Sequence, residues 1–302
     1  MKKRWLLIFL FMSGFTILAQ VPSRFTGSLL WKISGKDLHK PSYILGTHHL
    51  IPVTFTDSIP GLLQVMESTE QTVGELLTGE EEEYQAKMLP YMMMPEGESY
   101  RSLLSEEDYG KLDEGLNQLL GIGLEQLGAF HPGMLSMMLS VALHGKLQPG
   151  FDPERHEAMD SYVQRMAREN GKNVEALENV DDQIYVLFQA ISLKKQAESL
   201  VCEVENTDIM EKSLIELNRH YRKGELNEMY YESFVNPDIP CIPSEECQHV
   251  MNRERVEKWM AKLPAIMKGK STLIAVGALH LPGEEGLLYK LSEMGYNVEP
   301  VL

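Results

Sequence analysis

Two stretches, one towards each end of the chain, constrain the fold most. Ser42-Tyr43-Ile44-Leu45-Gly46-Thr47-His48-His49-Leu50-Ile51-Pro52 is echoed by Leu273-Ile274-Ala275-Val276-Gly277-Ala278-Leu279-His280-Leu281-Pro282. Each reads as a short apolar strand running into Gly-x-x-His, with apolar sequence and a proline beyond. If the two strands lie in one sheet and run the same way, both imidazoles emerge at its carboxyl edge, where open α/β sheets form their ligand sites. The spacing alone carries little. With 23 glycines and 9 histidines in 302 residues, chance supplies about 0.7 such matches. A third copy, Gly128-Ala129-Phe130-His131, follows the helical-looking Leu124–Leu127 and lacks the strand.

The remaining strands are apolar runs bounded by turn residues. Leu29–Ile33 pairs with Tyr43–Leu45 across a polar turn, Gln71–Leu77 contains Glu75 between apolar neighbours, and Val174–Leu177 leads to Glu178. Asn297–Val301 closes the chain. Between them, 80–235 reads as mostly helical. Ser105 starts a capping-box helix, and Pro132–His144 is rich in methionine, with Met134, Met137 and Met138 expected in a core. Pro153–Asn170 is amphipathic, Asn179 caps a helix that opens with Asp181 and Asp182, and Met210–Phe234 is broken near Gly224. Further helices are expected at Ile59–Glu70, Val250–Met267 and Glu284–Met294. Strands at both ends with helices in the middle require the termini to meet. The expected fold is α/β (α+β), a central mixed sheet built from both ends of the chain with a large helical middle region, as one domain over 20–302.

A formal net charge of −16 argues against nucleic acid or anionic lipid as a partner. Met1-Lys2-Lys3-Arg4 followed by the apolar Trp5–Ala19 reads as a signal peptide over 1–19, cleaved after Ala19, with an uncleaved membrane anchor as the alternative, so the mature chain is expected to be secreted or periplasmic. No other segment reads as a membrane span. Export meets an oxidising compartment. Cys241 and Cys247 bracket a polar loop that a disulfide would close, and Cys202 is either buried or the true partner of one of them.

The chemistry centres on an acid and two histidines. Glu75, in a short strand that looks buried, must be paired, protonated or metal-bound. Taken with His49 and His280 it makes two imidazoles and a carboxylate with a position open for water, the ligand set of many catalytic divalent-metal sites. The glycines would let the backbone turn and approach closely. A helix opening at Gly283-Glu284 would favour a neutral His280. His48 reads as a neighbour, and His131, His144 and His156 as packing or surface residues. Gly-x-Ser-x-Gly, Walker and His-Glu-x-x-His signatures are absent.

These blocks resemble the TraB/GumN (PrgY) family, which is related to the TIKI metalloproteases. Leu30–Ile33 through Gly46–His49, Gly74-Glu75-Leu76, Asp160–Ala167 with Gly171-Lys172 and Leu177–Gln183, Arg255 with Trp259 and Met260, and Val276–Gly283 follow the family's order. Val256 stands where the arginine block usually continues with asparagine. The resemblance implies a metal-dependent, peptidase-like hydrolase. His49, His280 and Glu75 would hold a divalent metal (manganese or cobalt, with zinc also compatible), or Glu75 would act as base on its water. Arg255 would steady an anionic substrate group or the oxyanion, with Glu178 and His48 supporting the site from behind. The substrate would be a peptide or protein. A non-catalytic peptide-binding or signalling protein on the same scaffold is the alternative.

Overall fold

The apolar runs that bracket the chain become one sheet, whose inner strands are buried on both faces. In the computed structural model the described residues are 24–79, 81–148, 151–152 and 155–302, so the signal peptide expected at 1–19 lies outside them. The strands are β1 (Leu30–Ser34), β2 (Ser42–Thr47), β3 (Gln71–Gly74), β4 (Asn173–Ala176), β5 (Thr272–Gly277) and β6 (Asn297–Pro300). Their order is β4-β3-β5-β2-β1-β6. β4, β3, β5 and β2 are mutually parallel, while β1 runs antiparallel to both β2 and β6. The sheet is therefore mixed and built from both ends of the chain, as expected.

β5 sits near the centre, and Leu273, Ile274, Ala275 and Val276 are all fully buried. Its register sets Gly46 opposite Val276 and Thr47 opposite Gly277, so the two Gly-x-x-His units leave the sheet one residue out of step. The core over the sheet takes Leu62 and Val65 from the Leu62–Ser68 helix and Met159 and Val163 from Met159–Glu169. Leu287, Leu288 and Leu291 come from Leu287–Glu293. The helix Glu254–Gly269 contributes Val256, Trp259, Leu263 and Met267, a stripe at three- and four-residue spacing. Val256 is thus a core residue.

The helical middle has its own core. Leu112 and Leu116 from Glu106–Leu120, Leu135 and Leu139 from Pro132–Leu147, and Ala197, Leu200 and Val201 from Leu193–Glu205 pack together. Met138 joins it from the rim, but Met134 and Met137 are only half-buried. Met210–Phe234 is two helices, Thr207–Lys223 and Leu226–Phe234, joined at Gly224. That glycine has φ of 68°, and a Cβ there would lie 2.7 Å from the Ser28 backbone nitrogen, so both conformation and space demand glycine. Among the described residues no helix is long and apolar enough to cross a membrane.

Several boundaries differ from expectation. The helix expected from Pro153 starts at Met159, and Pro153 itself lies outside the described residues. Ile59–Glu70 shortens to Leu62–Ser68, Glu284–Met294 to Leu287–Glu293, and β3 ends at Gly74, leaving Glu75 just past it. The disulfide joins Cys202 to Cys241, not Cys241 to Cys247, and Cys247 is free. It ties the Leu193–Glu205 helix to the loop beyond Leu226–Phe234.

Candidate functional site

Four adjacent parallel strands each deliver one chemical group within three residues of their carboxyl ends. In sheet order these are Glu178 after β4, Glu75 after β3, His280 after β5 and His49 after β2. The β3–β4 ladder continues past the strands: Leu177 N–H donates to Gly74 O and Glu178 N–H to Glu75 O, both at 2.9 Å. This places the two glutamates side by side.

Arg255 joins them. Its Nε and Nη2 donate to the two oxygens of Glu178 at 2.8 and 2.9 Å, a bidentate fork, and Nη2 also reaches Glu75 Oε2 at 2.5 Å. Nη1 donates to His280 Nε2 at 3.0 Å. Trp259, one helical turn on, donates its indole N–H to Glu178 Oε1 at 2.9 Å and lies under the guanidinium at 4.9 Å. Gln183 donates to the other Glu178 oxygen. Arg255 is 7% exposed and Glu178 8%. Taking such charges out of water costs several kcal/mol per ion, which only complete hydrogen bonding offsets.

His280 is fixed in one tautomer. Asn252 donates from Nδ2 to Leu279 O at 3.1 Å, so its Oδ1 faces the ring and accepts from His280 Nδ1–H at 2.7 Å. Nε2 is then the lone-pair nitrogen and points at Arg255. Burial, with Arg255 adding to it, pushes the imidazole down to about 4, so it is neutral at neutral pH. The helix expected to open at Gly283-Glu284 starts at Leu287 and is not the cause. Asn252 lies in a π-helical turn, His249–Arg253, that runs directly into the Arg255 helix. Glu75 is held from both sides, by Arg255 and by the Gly277 N–H at 2.7 Å. Burial raises its carboxyl, but His280 when protonated, Arg255, that amide and His49 outweigh it and hold it below the usual range.

His49 is the opposite case. Its side chain is 64% exposed, and Nδ1 donates to Asp160 Oδ2 at 2.8 Å. The Asp160 charge and hydrogen bond raise the imidazole to about 9, with solvent screening part of that shift. The backbone carbonyl of His49 accepts from His156 Nε2 at 2.6 Å, and a cavity of about 490 Å³ lined by Pro52, Val53, Phe151, Arg155 and His156 lies alongside. His48 turns away: its Nδ1 accepts from Leu50 N–H and its ring packs on Tyr221 at 5.0 Å. His131 caps the Pro132–Leu147 helix, and His144 is fully buried.

Neither glycine serves a left-handed turn. Gly46 is needed for close approach, since a Cβ there would sit 3.1 Å from Ala278 Cβ. Gly277, at φ −52°, donates to Glu75. Sequence reasoning did not single out Asn252, and it met Asp160 only as the first residue of a longer block. A polar residue three before Arg255 is too common a pattern to read.

The three expected metal ligands meet at this edge, but as they stand they do not form a ligand set. Arg255 occupies the His280 lone pair and Glu75 Oε2, the Gly277 N–H occupies Glu75 Oε1, and His49 is turned to Asp160. Among the described residues no three His, Cys, Asp or Glu side chains are grouped to hold a metal ion.

The sequence profile of the TraB/PrgY/gumN family matches residues 29–300, a span that takes in every strand and every residue of this edge. No curated protein and no solved structure matches the chain.

Proposed function

The chain belongs to the TraB/PrgY/gumN family, and from that premise we propose that it is an exported hydrolase of the peptidase type, working at the Glu75–Arg255–His280 edge. One observation carries this reading. A buried guanidinium, two carboxyl groups and a neutral histidine of fixed tautomer converge where four parallel strands end, beside an exposed histidine paired with Asp160. Amide hydrolysis needs a group that accepts a proton from water, a positive group facing the oxyanion and a proton for the departing amine. Glu75 is ionised at neutral pH and is the candidate base, at some loss of base strength. Arg255 would steady the developing negative charge by releasing one of the N–H groups that Glu178, Glu75, His280 and the Met251 carbonyl now engage. His49, kept protonated by Asp160, is the candidate donor to the amine. A peptide would lie in the cavity lined by His156, which reaches this edge through its hydrogen bond to the His49 carbonyl. The Cys202–Cys241 disulfide supports export to an oxidising compartment.

A divalent metal, manganese, cobalt or zinc, is a second reading. It is favoured by His280, whose Nδ1 is pinned by Asn252 so that Nε2 points inward as a ligand nitrogen must. It requires Arg255 to release that nitrogen. The rival class is peptide binding without cleavage.

Purified mature protein would be tested against a peptide library, with and without added metal, beside Glu75→Gln, His49→Ala and His280→Ala. Cleavage lost at least 100-fold in Glu75→Gln is the expected result. Peptide retained without any cleavage supports the binding protein, and unchanged cleavage in all three variants removes this edge from the reaction. Metal content that falls in both histidine variants supports the second reading.

A further inference from the structure

We propose that the helical body carries a second site, unconnected with the edge of the sheet, in which Glu203 binds a small organic ammonium ion. A pocket of about 130 Å³ lies between the Pro132–Leu147 and Leu193–Glu205 helices and their neighbours. Leu119, Leu139, Leu143 and Met210 form its walls, and Ser136 and Glu203 supply the polar groups. Exposed Ser140 stands at its mouth.

The Glu203 carboxyl is poorly served. Ser199 Oγ reaches Oε1 at 3.4 Å and Ser136 Oγ reaches Oε2 at 3.5 Å, both long for hydroxyl donors, which prefer about 2.5–3.0 Å. Among the described residues no Lys, Arg or His forms an ion pair with it, whereas the nearby acids Glu205 and Glu211 are paired with Lys111 and Lys146. Glu203 is half-buried, and its loss of contact with water pushes the carboxyl up to about 7. A carboxylate in apolar surroundings, without a cation or a short hydrogen bond, is stabilised by any group that brings a positive charge and several N–H donors.

An alkylammonium has that chemistry. Its three N–H groups can meet Glu203 and the Ser136 hydroxyl, while its chain lies on the leucines and Met210. Size limits the chain, because a cavity of about 150 Å³ is enough for benzene. Four or five carbons fit. The ammonium of a lysine side chain from a peptide shares this chemistry, and free and peptide-borne amines are distinguished by testing both.

The test titrates the intact mature protein with n-butylammonium at pH 8 by ligand-observed NMR and calorimetry, with n-butanol as the neutral counterpart. Nα-acetyl-lysine amide is the peptide-borne probe. Wild type is expected to bind n-butylammonium with Kd on the order of 1 mM or tighter and n-butanol at least about tenfold more weakly. Glu203→Gln keeps the shape and should weaken the ammonium at least tenfold while leaving n-butanol unchanged. Ser140→Tyr, at an exposed position, should block both. Failure of wild type to bind n-butylammonium, or equal binding by Glu203→Gln, overturns the proposal. Neither result bears on peptide cleavage.

Discussion

The two Gly-x-x-His units look alike in sequence and leave adjacent parallel strands one residue out of step, yet their histidines are chemical opposites. His280 is 8% exposed, neutral, and gripped on both nitrogens by Asn252 and Arg255. His49 is mostly exposed, and its hydrogen bond to Asp160 raises it above the ordinary imidazole value. Strand and spacing only place a ring. Its charge is set by its surroundings, burial against Trp259 and Arg255 on the Glu254–Gly269 helix for one and Asp160 on the Met159–Glu169 helix for the other. One edge thus offers a fixed lone-pair acceptor and a proton donor side by side.

Removing the grip on the buried member should have the largest effect. Arg255→Ala strands two carboxyl groups in the interior, and the expected loss is about 3–5 kcal/mol of unfolding free energy. Urea denaturation measures it, and a loss below about 1 kcal/mol would mean that water already reaches the cluster. His49 should keep its protonated state in this variant.

The two rings should also fail at opposite ends of the pH scale. His280 has a folded pKa of about 4, below its ordinary 6.5. Its contribution is complete above 6.5 and is lost as pH falls from there through 4, at most about 3 kcal/mol. His49 is raised to about 9. Its contribution is complete below 6.5 and fades as pH climbs through 9, and exposure reduces it to below about 1 kcal/mol. Comparing wild type with His280→Gln over pH 4–6.5 isolates the acid limb. A difference that does not change with pH in that window would show that His280 is not held neutral.

Asn252→Ala should cost less, about 1–2 kcal/mol, by leaving His280 Nδ1–H without its partner. Nitrogen chemical shifts of the ring should then show mixed tautomers in place of one. A single Nδ1–H form in the variant would assign the tautomer to Arg255 alone.

How much of this was legible follows from what each feature depends on. The sheet was readable because buried parallel strands are apolar runs bounded by glycine, and strand ends predict an edge. Glu75 was readable as an acid out of place. The Cys202–Cys241 pairing was not, since three cysteines leave several pairings open and only helix packing chooses. Arg255 was expected beside the site, but that its guanidinium would take the His280 lone pair depends on a π-turn, which shifts the face of a helix without changing composition. Asp160 sits at the start of a helix placed too early by its proline, which hid the carboxylate at the first turn.

Asp160 gives the gentlest test and the one that bears most directly on the contrast between the histidines. Asp160→Asn keeps the size of the side chain and can still accept from His49 Nδ1–H, but it removes the charge. If the charge is what holds the imidazolium, the ring should titrate close to its ordinary 6.5, as followed by proton NMR, while the fold loses under about 1 kcal/mol. His280 should scarcely respond, because its neutrality comes first from burial. A His49 that titrates in this variant where it does in wild type would transfer the cause to Glu75, the other acid that raises it. The two Gly-x-x-His units would then share one electrostatic partner.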